Sequence, residues 1–123
     1  MSKFRAWDKE DKRMKEVFNI DFHRYTAVVG FRLSEPKSFL GNDPLTIIQS
    51  TGIKDVHEVE FFDKDIARDI DSEELGLVEY VNGAFVMKFA GGDGVDLYDV
   101  KDNFEILGNQ FKHPNLLEEW WLW

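Results

Sequence analysis

Apolar and polar residues alternate with period two along much of this chain, the pattern of strands that bury one face. From Tyr25 to Leu33, the side chains of Tyr25, Ala27, Val29, Phe31 and Leu33 share one face, while Thr26, Gly30 and Arg32 are among those on the other, which predicts a single strand. Lys3–Trp7 alternates in the same way, with Phe4 and Ala6 on one side. The all-charged run Asp8–Lys12 then reads as a turn into a second short strand over Arg13–Phe18. Ser34–Pro44 gathers Pro36, Gly41, Asn42, Asp43 and Pro44 around Phe39 and Leu40, the composition of a loop. It sets the expected division between an N-terminal β region with linker, residues 1–44, and a second domain, residues 45–123.

In the second domain Leu45–Thr51 predicts a strand turned by Gly52, and Glu60–Ile70 a further segment interrupted at Asp63–Asp65. Asp71–Glu74 reads as a solvated turn. Leu77–Val81 and Ala84–Ala90 flank Asn82-Gly83, two residues that tolerate positive φ and so suit a type I′ hairpin. The AGGDG run at 90–94 is a turn, not a phosphate loop, because neither a helical pattern nor a suitably placed lysine follows it. Val95–Val100 and Phe104–Gly108 are expected to pair across Lys101–Asn103. After His113, Pro114 and the apolar positions Leu116, Leu117 and Trp120 predict the chain's one helix, a short one. The fold class is therefore mainly β.

Composition narrows the function. At 123 residues the chain is long enough to bury a core without staples, and with no cysteine it has no thiolate nucleophile and no sulfur-ligated zinc. No stretch of 18 apolar residues occurs, and charges punctuate the first fifteen positions, so a cytoplasmic protein with no membrane partner is expected. The net charge of -9 is uneven: residues 1–15 hold six basic and three acidic side chains, whereas 55–79 holds ten acidic and two basic. That acidic concentration repels phosphate, so no direct nucleic-acid grip is expected there.

Three groups of residues invite a chemical reading. The spacings Asp63-x-Asp65 and Asp69-x-Asp71 would offer oxygen ligands to Mg²⁺ or Ca²⁺, yet in a twelve-residue calcium loop begun at Asp63 the sixth place falls on Arg68 where glycine belongs, so a solvated acidic turn is the plainer reading and no metal or cofactor is expected. His23, His57 and His113 are scattered, without the serine, aspartate or second histidine of a catalytic spacing. Of the three, His57 lies beside the acidic cluster, and His113 is most simply a helix-cap residue. Trp120, Trp121 and Trp123 place three indoles in four residues, a concentration that suits an interface.

Three blocks of sequence also carry a resemblance. They are KFRAWDKEDKRM at 3–14, the set Gly52, Lys54, Asp55, Glu60, Phe62, Asp65, Ile66 and Arg68, and FEILGNQFKHPNLL at 104–117. In order and spacing they resemble the YopX family of phage and prophage proteins. The resemblance implies an SH3-like barrel in the carboxyl-terminal part and a prophage setting, and it supplies no activity or catalytic residue. His57-Glu58 and Asp63-Lys64-Asp65 stand where that family has Asn-Gly and Glu-Gly-Asp, so these turns are either built differently or strained.

The expected function is a non-enzymatic phage or prophage accessory protein, self-associating as a homo-oligomer through the Trp120, Trp121 and Trp123 tail and its β surface. A second reading uses the acidic face, with Asp63, Asp65, Asp69 and Asp71, to occupy a basic surface of a host protein, such as a DNA-binding one. A third builds a metal-dependent phosphoesterase on the same four acids.

Overall fold

The computed structural model describes residues 3–118. Asp8–Lys12 turns the chain as its charge run implies, so that strand β1 (Phe4–Asp8) pairs antiparallel with β2 (Arg13–Asp21), Ala6 opposite Lys15 and Trp7 opposite Met14. A second turn, in which Asp21 Oδ1 accepts the N–H groups of His23 and Arg24, returns the chain into β3 (Thr26–Val29). After β3 come the two-residue β4 (Lys37–Ser38), a 3-10 turn at Leu40–Asn42, and β5 (Leu45–Lys54), whose first half pairs with β1. Strand order in this antiparallel sheet is β4-β3-β2-β1-β5, with β6 (Glu60–Phe62) beside β5.

The chain divides into two compact units, Met1–Ser50 and Thr51–Trp123. Residues 45–50 thus belong with the first unit, where Leu45 is fully buried against Ala6, Val17, Ala27 and Val29. The strand expected over 25–33 is shorter than its pattern. Gly30 takes φ +81 and gives its N–H to the Glu16 carbonyl, which ends the ladder at Val29. Phe31 and Leu33 continue the alternation but lie in a turn, 78% and 95% exposed.

The second unit carries an antiparallel sheet of order β10-β9-β8-β7-β11, made of β7 (Asp65–Asp69), β8 (Leu75–Val81), β9 (Ala84–Lys88), β10 (Gly94–Asp96) and β11 (Phe104–Asn109). Asn82 (φ 50) and Gly83 (φ 88) close the β8–β9 hairpin with the paired positive φ values of a type I′ turn. Its core is Phe61, Ala67, Val78, Met87, Leu97 and Phe104, and fully burying each larger side chain contributes roughly 1.5–3 kcal/mol.

Three expected features of this unit differ. Gly52 does not turn the chain: β5 runs on through it at φ 74, and the reversal comes at residues 55–59. The strand expected over 95–100 stops at Asp96, whose carboxylate accepts the Tyr98 N–H and caps α1 (Leu97–Val100). In consequence β10 pairs with β9, and β11 pairs with β7, rather than with each other. The helix expected after His113 is a 3-10 turn over Pro114–Leu117 within the described residues.

Candidate functional site

Where four acids were expected to gather, a strand separates them. Asp63 and Asp65 lie at the start of β7, and Asp69 and Asp71 at and beyond its end, about 13 Å away at the rise of an extended chain. Asp65 is buried and its Oδ2 accepts the Phe62 N–H at 2.8 Å. Asp69 Oδ1 accepts the N–H groups of Ser72 and Asp71, and these bonds, the Ser72 one foremost, hold its carboxyl below the ordinary value. Asp63 is pushed the other way by burial. Only Asp71 of the four stands fully in solvent, beside Glu73 and Glu74. Among the described residues no group of three or more His, Asp or Glu side chains is placed to hold a metal ion. Trp120, Trp121 and Trp123 lie outside the described residues.

Other polar side chains are deeply buried, at positions to which the sequence assigns no catalytic or binding role. Asp55, 2% exposed, accepts three backbone N–H groups: those of His57 (2.8 Å) and Val59 (2.9 Å) at Oδ1, and that of Ile106 (3.0 Å) at Oδ2. It therefore shapes the 55–59 turn and, with the Val56 N–H donating to the Phe104 carbonyl, lines the outer edge of β11. Asn109 Oδ1 accepts the N–H groups of Phe111 and Lys112. His113 is not a side-chain cap: its Nδ1 accepts the Asn109 N–H, and its ring lies so close over Gly108 that any Cβ there would collide.

In the first unit Asp8 is likewise enclosed. Oδ1 accepts the N–H groups of Glu10 (3.0 Å) and Asp11 (3.3 Å), and Oδ2 accepts the ammonium groups of Lys37 (2.7 Å) and Lys15 (2.9 Å). Burial pushes this carboxyl up, but Lys37, Lys15 and the two N–H groups outweigh burial and hold it down to about 2. The signal for Asp8, Asp55 and Asn109 was present in the sequence: each closes an extended run, and donors two or three to four residues on make the turn that such short side chains favour.

One charged cluster stands on the ladder between β7 and β11. Arg68 faces Glu105 directly, its guanidinium bonded to Glu105 Oε1 through both Nε (3.1 Å) and a terminal nitrogen, while His57 Nε2 lies 3.2 Å from Oε2. Arg68 first and His57 second lower the Glu105 pKa. Glu79 likewise lies 3.5 Å from both Lys64 and Lys88.

Asp8, Asp55 and Asn109, all within the blocks that carry the sequence resemblance, are thus turn builders. Glu58 (φ 63) and Lys64 (φ 69) do adopt the left-handed conformation that glycine would take, and Lys64 is held there by its N–H to Val78 and its carbonyl from Gln110.

Comparison with known proteins agrees with this architecture. The family model described as YopX protein matches residues 3–118. Among solved structures, protein EF1440 from Enterococcus faecalis shares 24% identity over 94% of this chain and 97% of its own, with a TM-score of 0.62. Protein yopX from Bacillus subtilis shares 16% identity over 94% and 95%, with a TM-score of 0.63. These two likenesses establish a common fold. No curated protein sequence matches the chain.

Proposed function

The chain belongs to the YopX protein family, and from that premise we propose that it is a non-enzymatic phage or prophage accessory protein that works by associating with further copies of itself. The observation that carries this reading is the apolar surface outside both cores. In the first unit Phe22 (62%), Tyr25 (47%) and Leu40 (63%) are exposed around the partly buried Phe39, whose ring meets those of Phe22 and Tyr25 edge to face. In the second, Tyr80 (56%), Val81 (40%), Val95 (38%) and Tyr98 (65%) face solvent. The ring contacts make the first-unit group a cluster, and clustered apolar side chains of this kind mark contact surfaces. The sequence supplies three further indoles, at 120, 121 and 123.

Within the same proposal the second unit is an SH3-like barrel. Five antiparallel strands and the cover that residues 55–56 place on the edge of β11 support that description. The cytoplasm of the host is the proposed setting; among the described residues no helix is long and apolar enough to cross a membrane.

Light scattering on the full chain and on a chain lacking Trp120–Trp123 tests the proposal. The full chain is expected to show a mass of two or more copies and the shortened chain a mass shifted toward one. A second reading rests on a separate observation, the exposed Asp71, Glu73 and Glu74 at the β7–β8 turn, which would suit a basic surface of a host protein. Capture of such a partner that is lost at high salt, with no self-association at any concentration, would favour it instead.

A further inference from the structure

We propose that Asp63 is a proton-linked switch in the turn between β6 and β7: as the neutral acid it leaves the Lys64 ammonium to Glu79, and as the carboxylate it competes with Glu79 for that ammonium. This goes beyond self-association and does not rest on it. The first observation is geometric. Asp63 Oδ1 is closed off from solvent and meets no hydrogen-bond donor among the described residues. A charged oxygen in such a place has given up its water for nothing in return, whereas the neutral acid costs far less to enclose.

The backbone that carries Asp63 is anchored on both sides. Asp65, 1% exposed, accepts the Phe62 N–H at Oδ2 (2.8 Å). Lys64, at φ 69, gives its N–H to the Val78 carbonyl (2.8 Å) and takes the Gln110 N–H on its own carbonyl (3.0 Å). The turn is thereby tied to β8 and to the residue after β11, which holds the Asp63 carboxyl where it is. Other turn-forming acids of this chain are served differently: at Asp8 and at Asp69 two backbone N–H groups converge on Oδ1, and at Asp63 none does.

The surrounding charges define the second state. The turn itself supplies Lys64 and the buried Asp65, β8 supplies Glu79, and β9 supplies Lys88, while Asn109 and Gln110 at the end of β11 are uncharged. Glu79 Oε1 lies 3.5 Å from Lys64 Nζ, and its Oε2 lies 3.5 Å from Lys88 Nζ. Burial, foremost, pushes the Asp63 carboxyl above its ordinary 3.8; the charge and N–H of Lys64 pull against it, and Glu79 adds to the rise. When Asp63 ionises, two carboxylates face the Lys64 ammonium and Glu79 keeps Lys88, so the Lys64–Glu79 pair is the contact that loosens. The folded state holds this proton more tightly than the unfolded chain does. Its stabilising effect is therefore fully present below pH 3.8 and is lost as pH rises through the folded value, the opposite sense to Asp8.

The test is an NMR titration of the side-chain carboxyl carbons, with chemical denaturation across the same pH range, on the parent, Asp63→Asn and Glu79→Gln. The parent is expected to show an Asp63 midpoint above 3.8. Asp63→Asn, which fixes the neutral form, is expected to remove the fall in stability that the parent shows as pH rises through that midpoint, and to unfold at a higher denaturant concentration than the parent near neutral pH. Glu79→Gln is expected to bring the Asp63 midpoint down toward 3.8, because the like charge is gone and Lys64 is released. A parent midpoint at or below 3.8 overturns the switch, and so does an Asp63→Asn chain whose stability follows pH as the parent's does. An unmoved Asp63 midpoint in Glu79→Gln, with the fold checked by circular dichroism, overturns the competition for Lys64. The parent titration needs no variant, so it decides the matter even if a substituted chain does not fold. A parent that scatters light as a single copy would sink self-association and leave each of these outcomes as it stands.

Discussion

Asp55 shows how a buried carboxylate organises this fold. Three backbone N–H groups converge on it, two from the turn it begins and one from a strand fifty-one residues on. Asp55→Ala would leave all three without their acceptor, and because a buried donor left unmet costs about 1–3 kcal/mol, a loss of roughly 2–4 kcal/mol is expected in chemical denaturation, with some relief from water reaching the turn. Asp55→Asn, which keeps one acceptor oxygen, should lose less. Asp8 adds a pH dependence. Its folded pKa of about 2 lies below the ordinary 3.8, so its contribution is fully present above about pH 4 and is lost as pH falls through 2. Discounting for the solvent that reaches Lys37, this is about 1–2 kcal/mol. Lys37→Met should flatten the decline in stability between pH 4 and 2, and an unchanged slope would remove Lys37 from that role.

At the scale of elements, the turns are the informative features. Gly83 sits at φ 88 with no neighbour near an added Cβ, so Gly83→Val should destabilise through backbone strain alone, by about 1–2 kcal/mol in a thermal melt. Lys64→Gly runs the other way: relief of the φ 69 strain offsets the greater freedom of glycine in the unfolded chain, so the variant should melt within about 1 kcal/mol of the parent while Lys64→Val falls well below it. Asn82-Gly83 and the Asp8–Lys12 turn were legible because their residue chemistry is local. The end of β3 was not, since Phe31 and Leu33 alternate as a strand would, and only the conformation at Gly30 and the lack of a partner strand decide against it. Nor was the pairing of β11 with β7, which joins residues 104–109 to 65–69 past three intervening strands. The acids at 63–71 were legible as a cluster in sequence, but β7 lies between them and spreads them out.

At the scale of the whole molecule, the residues that carry the family likeness hold turns and edges, and the apolar side chains left outside the cores carry the proposed function. If the proposed interface buries the tail indoles, each would contribute roughly a few kcal/mol against 0–1 kcal/mol for a surface ion pair, so association should resist salt. The most direct measurement is therefore the mass of the full chain by light scattering at tens of micromolar, in low and in high salt. A mass of two or more copies that raising the salt leaves nearly unchanged is the predicted result. A mass of 14.4 kDa in both conditions would contradict it.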